Sequence, residues 1–203
     1  MRHRRAWKQL LLLPALGLFL LSACGGQPYQ FRGTTLEPPS QAADFTLADH
    51  NGQSFTLSEQ RGNVVLMFFG FTSCPEVCPT TLAEMRAARK ELGADAEKVR
   101  VVFVTVDPER DTPDRMKRYV TNFDPSFTGL IGTEAELKPI YEAYGVTAIR
   151  RELPNSGLKY TMDHTAHTYV IDQQGRLRSL LQYGAPVEDI VSDVRYLVKN
   201  GGA

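Results

Sequence analysis

Hydrophobic positions change their spacing several times along this chain, and each change marks a predicted element. A basic stretch from Met1 to Lys8 precedes an apolar run from Leu10 to Leu21. Its twelve residues fall short of the about 20 that a helix needs to cross a hydrocarbon core, and they suit the apolar region of a cleavable signal peptide. Gly25 to Pro39 has no apolar periodicity and is rich in Gly, Pro and Thr, which predicts a flexible tether up to Ser40. Ala43 to Leu57 reads as a hairpin around Asn51-Gly52. Val64 to Phe71 is a continuous apolar run, the pattern of a strand buried on both faces. Thr80 to Leu92 then carries Leu82, Met85, Ala88 and Leu92 at helical spacing, and Pro79 places the start of that helix at or just before itself.

The same reading predicts a second buried strand over Val99 to Val106, a helix over Thr112 to Phe123, and a third helix over Glu134 to Tyr144 that Gly145 ends. Strands over His167 to Asp172 and Leu177 to Gln182 flank a turn at Gln173-Gln174-Gly175, and Val187 to Val198 closes the chain as a helix. Strands alternating with helices predict an α/β sheet. A strand, a cysteine-bearing loop and a helix in succession predict a thioredoxin-like domain with an amino-terminal hairpin extension, one domain from residue 41 to 203. No internal repeat is present.

Composition narrows the classes. Of 203 residues, 42% are hydrophobic and 23% charged, as in ordinary globular domains. The first 23 residues hold Arg2, Arg4, Arg5 and Lys8 and no carboxylate, so the remainder carries 19 basic against 23 acidic side chains. A mildly acidic body has no general attraction for nucleic acid. A disordered chain, a disulfide-dense miniprotein and a polytopic membrane protein are excluded.

Leu21-Ser22-Ala23-Cys24 resembles a bacterial lipobox, in which the cysteine is lipid-modified and becomes the first residue. Residues 1–23 are therefore expected to be a lipoprotein signal peptide, Cys24 the lipidated residue, and 24–40 the tether. The domain is expected to be extracytoplasmic and lipid-anchored, on the outer face of the cytoplasmic membrane. Arg4-Arg5 loosely resembles a twin-arginine signal, which leaves the export route open.

With Cys24 assigned to the anchor, Cys74 and Cys78 remain. Closing so short a loop gains little chain entropy, so the pair is expected to be redox-active, metal-binding or both. Both sulfurs lie near the start of a helix, whose positive end favours thiolate. Three intervening residues let two sulfurs converge on one ion, and a pair of thiolates selects Cu(I), zinc or iron–sulfur chemistry; with one imidazole the pair satisfies Cu(I), or Cu(II) given one further weak donor. The third donor is one of His50, His164 or His167, since His3 leaves with the leader. His50 falls in a turn and reads as solvated; spacing alone leans towards His164. Asp111 and Pro113 read as a helix cap and a first-turn residue, while Asp107 and Glu109 are left between tuning the site and meeting a partner.

The residues from Phe71 to Leu82, Phe-Thr-Ser-Cys-Pro-Glu-Val-Cys-Pro-Thr-Thr-Leu, closely resemble the cysteine motif of the Sco/SenC copper-binding family. Val106 to Pro113 resembles its second signature, and Asp163-His164-Thr165 followed by Tyr169 to Asp172 resembles its third. The resemblance implies copper as the bound metal, with Cys74, Cys78 and His164 as ligands, and a metallochaperone that delivers copper to the binuclear centre of cytochrome c oxidase subunit II. It equally allows a thiol-disulfide reductase using the Cys74 and Cys78 redox pair to keep the oxidase's copper-site cysteines reduced. A second periplasmic copper carrier or a thiol reductant would complete the partners. The Pro-x-x-x-Thr-x-x-Cys pattern of a thioredoxin-family peroxidase is absent, because Gly70-Phe71-Thr72-Ser73 precedes Cys74.

Overall fold

A computed structural model describes residues 29–201. Its order is β1 (Thr34–Gln41), β2 (Thr46–Asp49), β3 (Ser54–Thr56), β4 (Val64–Gly70), α1 (Val77–Leu92), β5 (Val99–Thr105), α2 (Pro113–Phe123), β6 (Thr128–Ile131), α3 (Glu134–Tyr144), β7 (Ala148–Glu152), β8 (Tyr160–His164), β9 (Thr168–Ile171), β10 (Arg176–Leu181) and α4 (Val187–Asn200). Eight strands form one sheet in the order β1-β10-β9-β4-β5-β6-β2-β3, while β7 and β8 form a separate two-stranded sheet. Parallel pairing of β4 with β5 and of β5 with β6, each through a helical crossover, is bordered by antiparallel β9 and β2. This is the expected thioredoxin-like α/β arrangement.

The central strand explains its own composition. Every residue of β4 is buried, because alternate side chains meet a different helical layer on each face. Phe69 meets Tyr141 and Tyr144 of α3, whereas Phe68 packs against Phe103, which in turn meets Tyr119 of α2. α1 packs along α4. The chain then leaves β4 at its carboxyl end with the cysteine loop fixed between a rigid strand and a rigid helix.

The amino-terminal boundary differs from expectation. Residues 29–40, read from sequence as tether, are built into the domain: β1 pairs antiparallel with β10, from Thr34 opposite Leu180 to Gln41 opposite Arg176. Pro38 and Pro39 fall where the register of that pairing shifts, and an edge strand tolerates residues that lack an N–H. Ahead of β1, Phe31 is buried and Tyr29 stacks on Tyr196 of α4 with centroids 3.8 Å apart. The buried carboxylate of Asp193 accepts hydrogen bonds from the Arg32 and Gly33 amides and the Tyr29 hydroxyl. A proline-rich composition masked this segment because its anchoring partners lie some 160 residues away. The signal peptide, Cys24 and the rest of the expected tether lie outside the described residues. Among those described, no helix is long and apolar enough to cross a membrane.

Candidate metal centre

Cys74 and Cys78 reach the site on opposite sides of a helix start. Glu76 is the residue before α1, and its side chain makes no capping hydrogen bond. Instead the Cys78 amide donates to Sγ of Cys74 at 3.4 Å, so a sulfur takes the place of the oxygen that ordinarily satisfies an exposed N–H of the first turn. Cys78 is fully buried and Cys74 partly exposed, and both are free. Gly70 makes the arrangement possible: a Cβ there would lie 2.8 Å from Sγ of Cys78 and equally close to the ring of Phe103.

His164 arrives from β8, at the end of the separate hairpin. Its Nε2 lies 3.6 Å from Sγ of Cys78, and its Nδ1 lies 2.9 Å from the carbonyl oxygen of Thr165. A carbonyl can only accept, so Nδ1 carries a proton and Nε2 is the nitrogen that faces the sulfurs, able to donate to a thiolate when it holds a proton and to offer its lone pair to a metal once that proton is lost. Phe68 and Phe71 meet the ring edge-on at 6.0 and 5.7 Å. The donor atoms of Cys74, Cys78 and His164 all lie within 4.8 Å of one another. Two sulfurs and one imidazole nitrogen are a soft donor set of the kind that suits copper. A cavity of about 360 Å³ opens on Cys74 and His164, bordered by Phe71, Pro75, Val77 and Met162.

The two thiols are unlike. Hydrogen bonding from the Cys78 thiol, followed by that from His164 and the Cys78 and Glu76 amides, brings Cys74 down to about 4 against the opposing effect of burial. Burial pushes Cys78 upward, and the neighbouring Cys74 reinforces it. The accessible sulfur is thus the thiolate and the buried one its hydrogen-bond donor.

A second set of residues holds the loop. Buried Asp111 accepts from Oγ1 of Thr72 at 2.6 Å, from Oγ1 of Thr105 at 2.7 Å and from the Thr72 amide. Arg115 donates to the hydroxyls of Thr72 and Ser73. Asp111 is therefore not the helix cap that its position indicated. Thr112 caps α2 by accepting from the Arg115 amide, and Pro113 occupies the first turn as expected.

His50 sits in its turn but is buried rather than solvated: Nδ1 accepts from the Gly129 amide at 3.0 Å, joining the β2–β3 hairpin to β6. His167 is outside the donor cluster. Asp107 is buried, bonded to Arg110 and to the Tyr160 hydroxyl, while Glu109 is exposed and paired with Arg150. Sequence reasoning passed over Gly70, Thr72, Arg110, Arg115 and Tyr160; the signal available was only that Gly70 interrupts an apolar strand, a mark of close approach.

A thioredoxin-like domain that presents a cysteine pair to a histidine from a separate hairpin defines a class of thiol and metal-handling proteins. Residues 33–199 match the family model described as SCO1/SenC, and the chain belongs to that family. An SCO2-like protein of Rickettsia prowazekii is 40% identical over 132 residues, covering 65% of this chain and 64% of that protein. The chain thus spans just under two thirds of that relative's length. The structure of Bradyrhizobium japonicum ScoI with copper bound superposes with a TM-score of 0.71 at 40% identity, covering 78% of this chain and 99% of that one. The structure of BsSco, described as a member of the Sco family of cytochrome c oxidase assembly proteins with a disulfide switch, gives a TM-score of 0.61 at 27% identity over 80% of this chain and 95% of that one.

Proposed function

We propose that the chain is a membrane-tethered, extracytoplasmic copper metallochaperone. Cys74 and Cys78 as thiolates and His164 through Nε2 hold the ion, which is cargo to be passed to the binuclear copper centre of cytochrome c oxidase subunit II. The observation that carries this reading is the convergence of three soft donors within 4.8 Å from two separate parts of the chain, alongside a copper-bound relative of 40% identity. Cys24, as the lipidated residue, would keep the domain at the membrane where the oxidase resides.

The geometry accounts for both loading and release. Cys74 is the exposed, already ionised donor and meets an arriving ion first; Cys78 loses its proton as the metal replaces it, since ligation requires the deprotonated form. A partner that offers its own thiolates through the groove can displace the donors one at a time, starting with the accessible sulfur. The unequal thiols also favour a second reading, a thiol-disulfide reductase in which Cys74 attacks and Cys78 resolves. The disulfide switch named for BsSco is in keeping with that chemistry.

Copper titration of the reduced chain separates the two. Cys74→Ala and His164→Ala should each lower copper affinity sharply, and His164→Ala should leave most of any reductase activity. Undiminished tight binding by Cys74→Ala would eliminate this ligand set.

A further inference from the structure

The imidazole stands on a hairpin that shares no strand with the main sheet, so something else must hold it over the sulfurs. We infer that Arg110 is the positioning residue that clamps the β7–β8 hairpin and thereby sets His164 against the cysteine pair. This deepens the copper-site reading and rests on it for its functional meaning.

One guanidinium makes contacts on both sides of the junction. Nε donates to the buried carboxylate of Asp107 at 2.5 Å, and Nη1 donates to the carbonyls of Leu158 and Tyr160 at 3.2 and 3.0 Å. Its Cζ lies over the Tyr160 ring, 3.6 Å from the centroid, and Cζ of Arg150 in β7 lies 3.7 Å from the same centroid. The Tyr160 hydroxyl donates to the other oxygen of Asp107 at 2.8 Å. On the cysteine side, Arg110 lies 5.8 Å from the centroid of Phe71, the ring that meets His164 edge-on. Tyr160 and His164 are the two ends of β8, so fixing the first fixes the reach of the second.

The chemistry requires arginine. A planar fork can serve a carboxylate and two carbonyls while stacking on an aromatic face, whereas an ammonium is a single point with no face. Arg110 is only 17% exposed, so its bonds to Asp107 and to the Tyr160 carbonyl are partly sheltered from competing water. The loop that supplies Arg110 also supplies Asp111, which braces Thr72. A single segment between β5 and α2 therefore registers the sulfur half of the site against the nitrogen half.

The test compares the whole chain with Arg110→Met, Arg110→Lys and His164→Ala. Without metal, amide exchange across residues 148–164 should quicken by about tenfold or more in Arg110→Met while β4 and α1 keep their protection, and the nuclear Overhauser contact between the His164 and Phe71 rings should disappear. Arg110→Lys should behave the same way, and it carries the test if the methionine variant fails to fold. With Cu(II) added, the imidazole nitrogen coupling in the electron paramagnetic resonance spectrum should be lost from both Arg110 variants as it is from His164→Ala. Unchanged exchange and an intact ring contact in either Arg110 variant would overturn the clamp. Identical copper spectra from wild type and His164→Ala would instead refute the copper-site reading, and the metal-free measurements would still decide the role of Arg110.

Discussion

Gly70 and Cys78 are in such close approach that a Cβ on the glycine would lie 2.8 Å from the cysteine sulfur. Gly70→Ala is therefore expected to push Cys78 or the ring of Phe103 aside. Overpacking at a buried site of this kind costs about 1–3 kcal/mol. Urea denaturation should register that loss together with weakened copper binding. Wild-type stability and binding in the variant would show that the strand end gives way freely.

The thiols should react in a fixed order. With Cys74 held at about 4, its alkylation by iodoacetamide should rise through that pH and level off well below the value of about 8.5 typical of a free cysteine. Mass spectrometry at pH 6 should find label on Cys74 before Cys78. Because the Cys78 thiol is the foremost cause of the depression, Cys78→Ala should move the profile of Cys74 to higher pH. A profile that stays put would remove the thiol-to-thiolate hydrogen bond from the account.

Redox state should control metal loading. Ligation needs two reduced sulfurs, so a Cys74–Cys78 disulfide removes two of the three donors. At copper concentrations near 100 times the dissociation constant, the reduced chain should gain about 2.7 kcal/mol of stability, which is roughly 5–10 °C in Tm for a domain of this size. The oxidised chain should gain almost nothing in the same calorimetric scan. An equal rise in both forms would contradict the ligand set.

Asp193 should secure the amino-terminal segment. Asp193→Ala leaves the Arg32 and Gly33 amides and the Tyr29 hydroxyl without their acceptor, an expected cost of about 1–3 kcal/mol. Limited trypsin digestion should then cut at Arg32 far sooner than in the wild type. Burial raises the Asp193 carboxyl above its unfolded value, against the lowering effect of the two amides and the tyrosine. Its contribution is thus full below the unfolded value of about 4 and diminishes as pH rises through the folded one. The stability gap between wild type and variant should narrow over that interval; a gap that widens would mean that the amides outweigh burial.

How much of this was legible follows from where each signal resides. β4, β5 and the helices were readable because continuous apolar runs and helical spacing are local properties, and Pro79, Pro113 and Gly145 mark helix boundaries by their own backbone chemistry. β7 and β8 escaped notice: Ala-Ile-Arg-Arg-Glu is exposed over most of its length, so no burial imposes alternation on it. β6 is four residues long, too short to carry a period. The two cysteines declared themselves by spacing, whereas the choice of His164 came from the family resemblance. Nothing local distinguishes a buried His50 from a solvated one, or shows Asp111 turning back to Thr72, because those partners are brought together only by folding.

The strap that joins Tyr29 and Arg32 to α4 has a mechanical consequence. If Cys24 bears the lipid, only residues 25–28 separate the acyl chains from the first docked side chain, and so short a leash extends roughly 18 Å at most. The domain would ride against the bilayer with restricted tilt, and any acceptor would have to bring its own copper site down to that height.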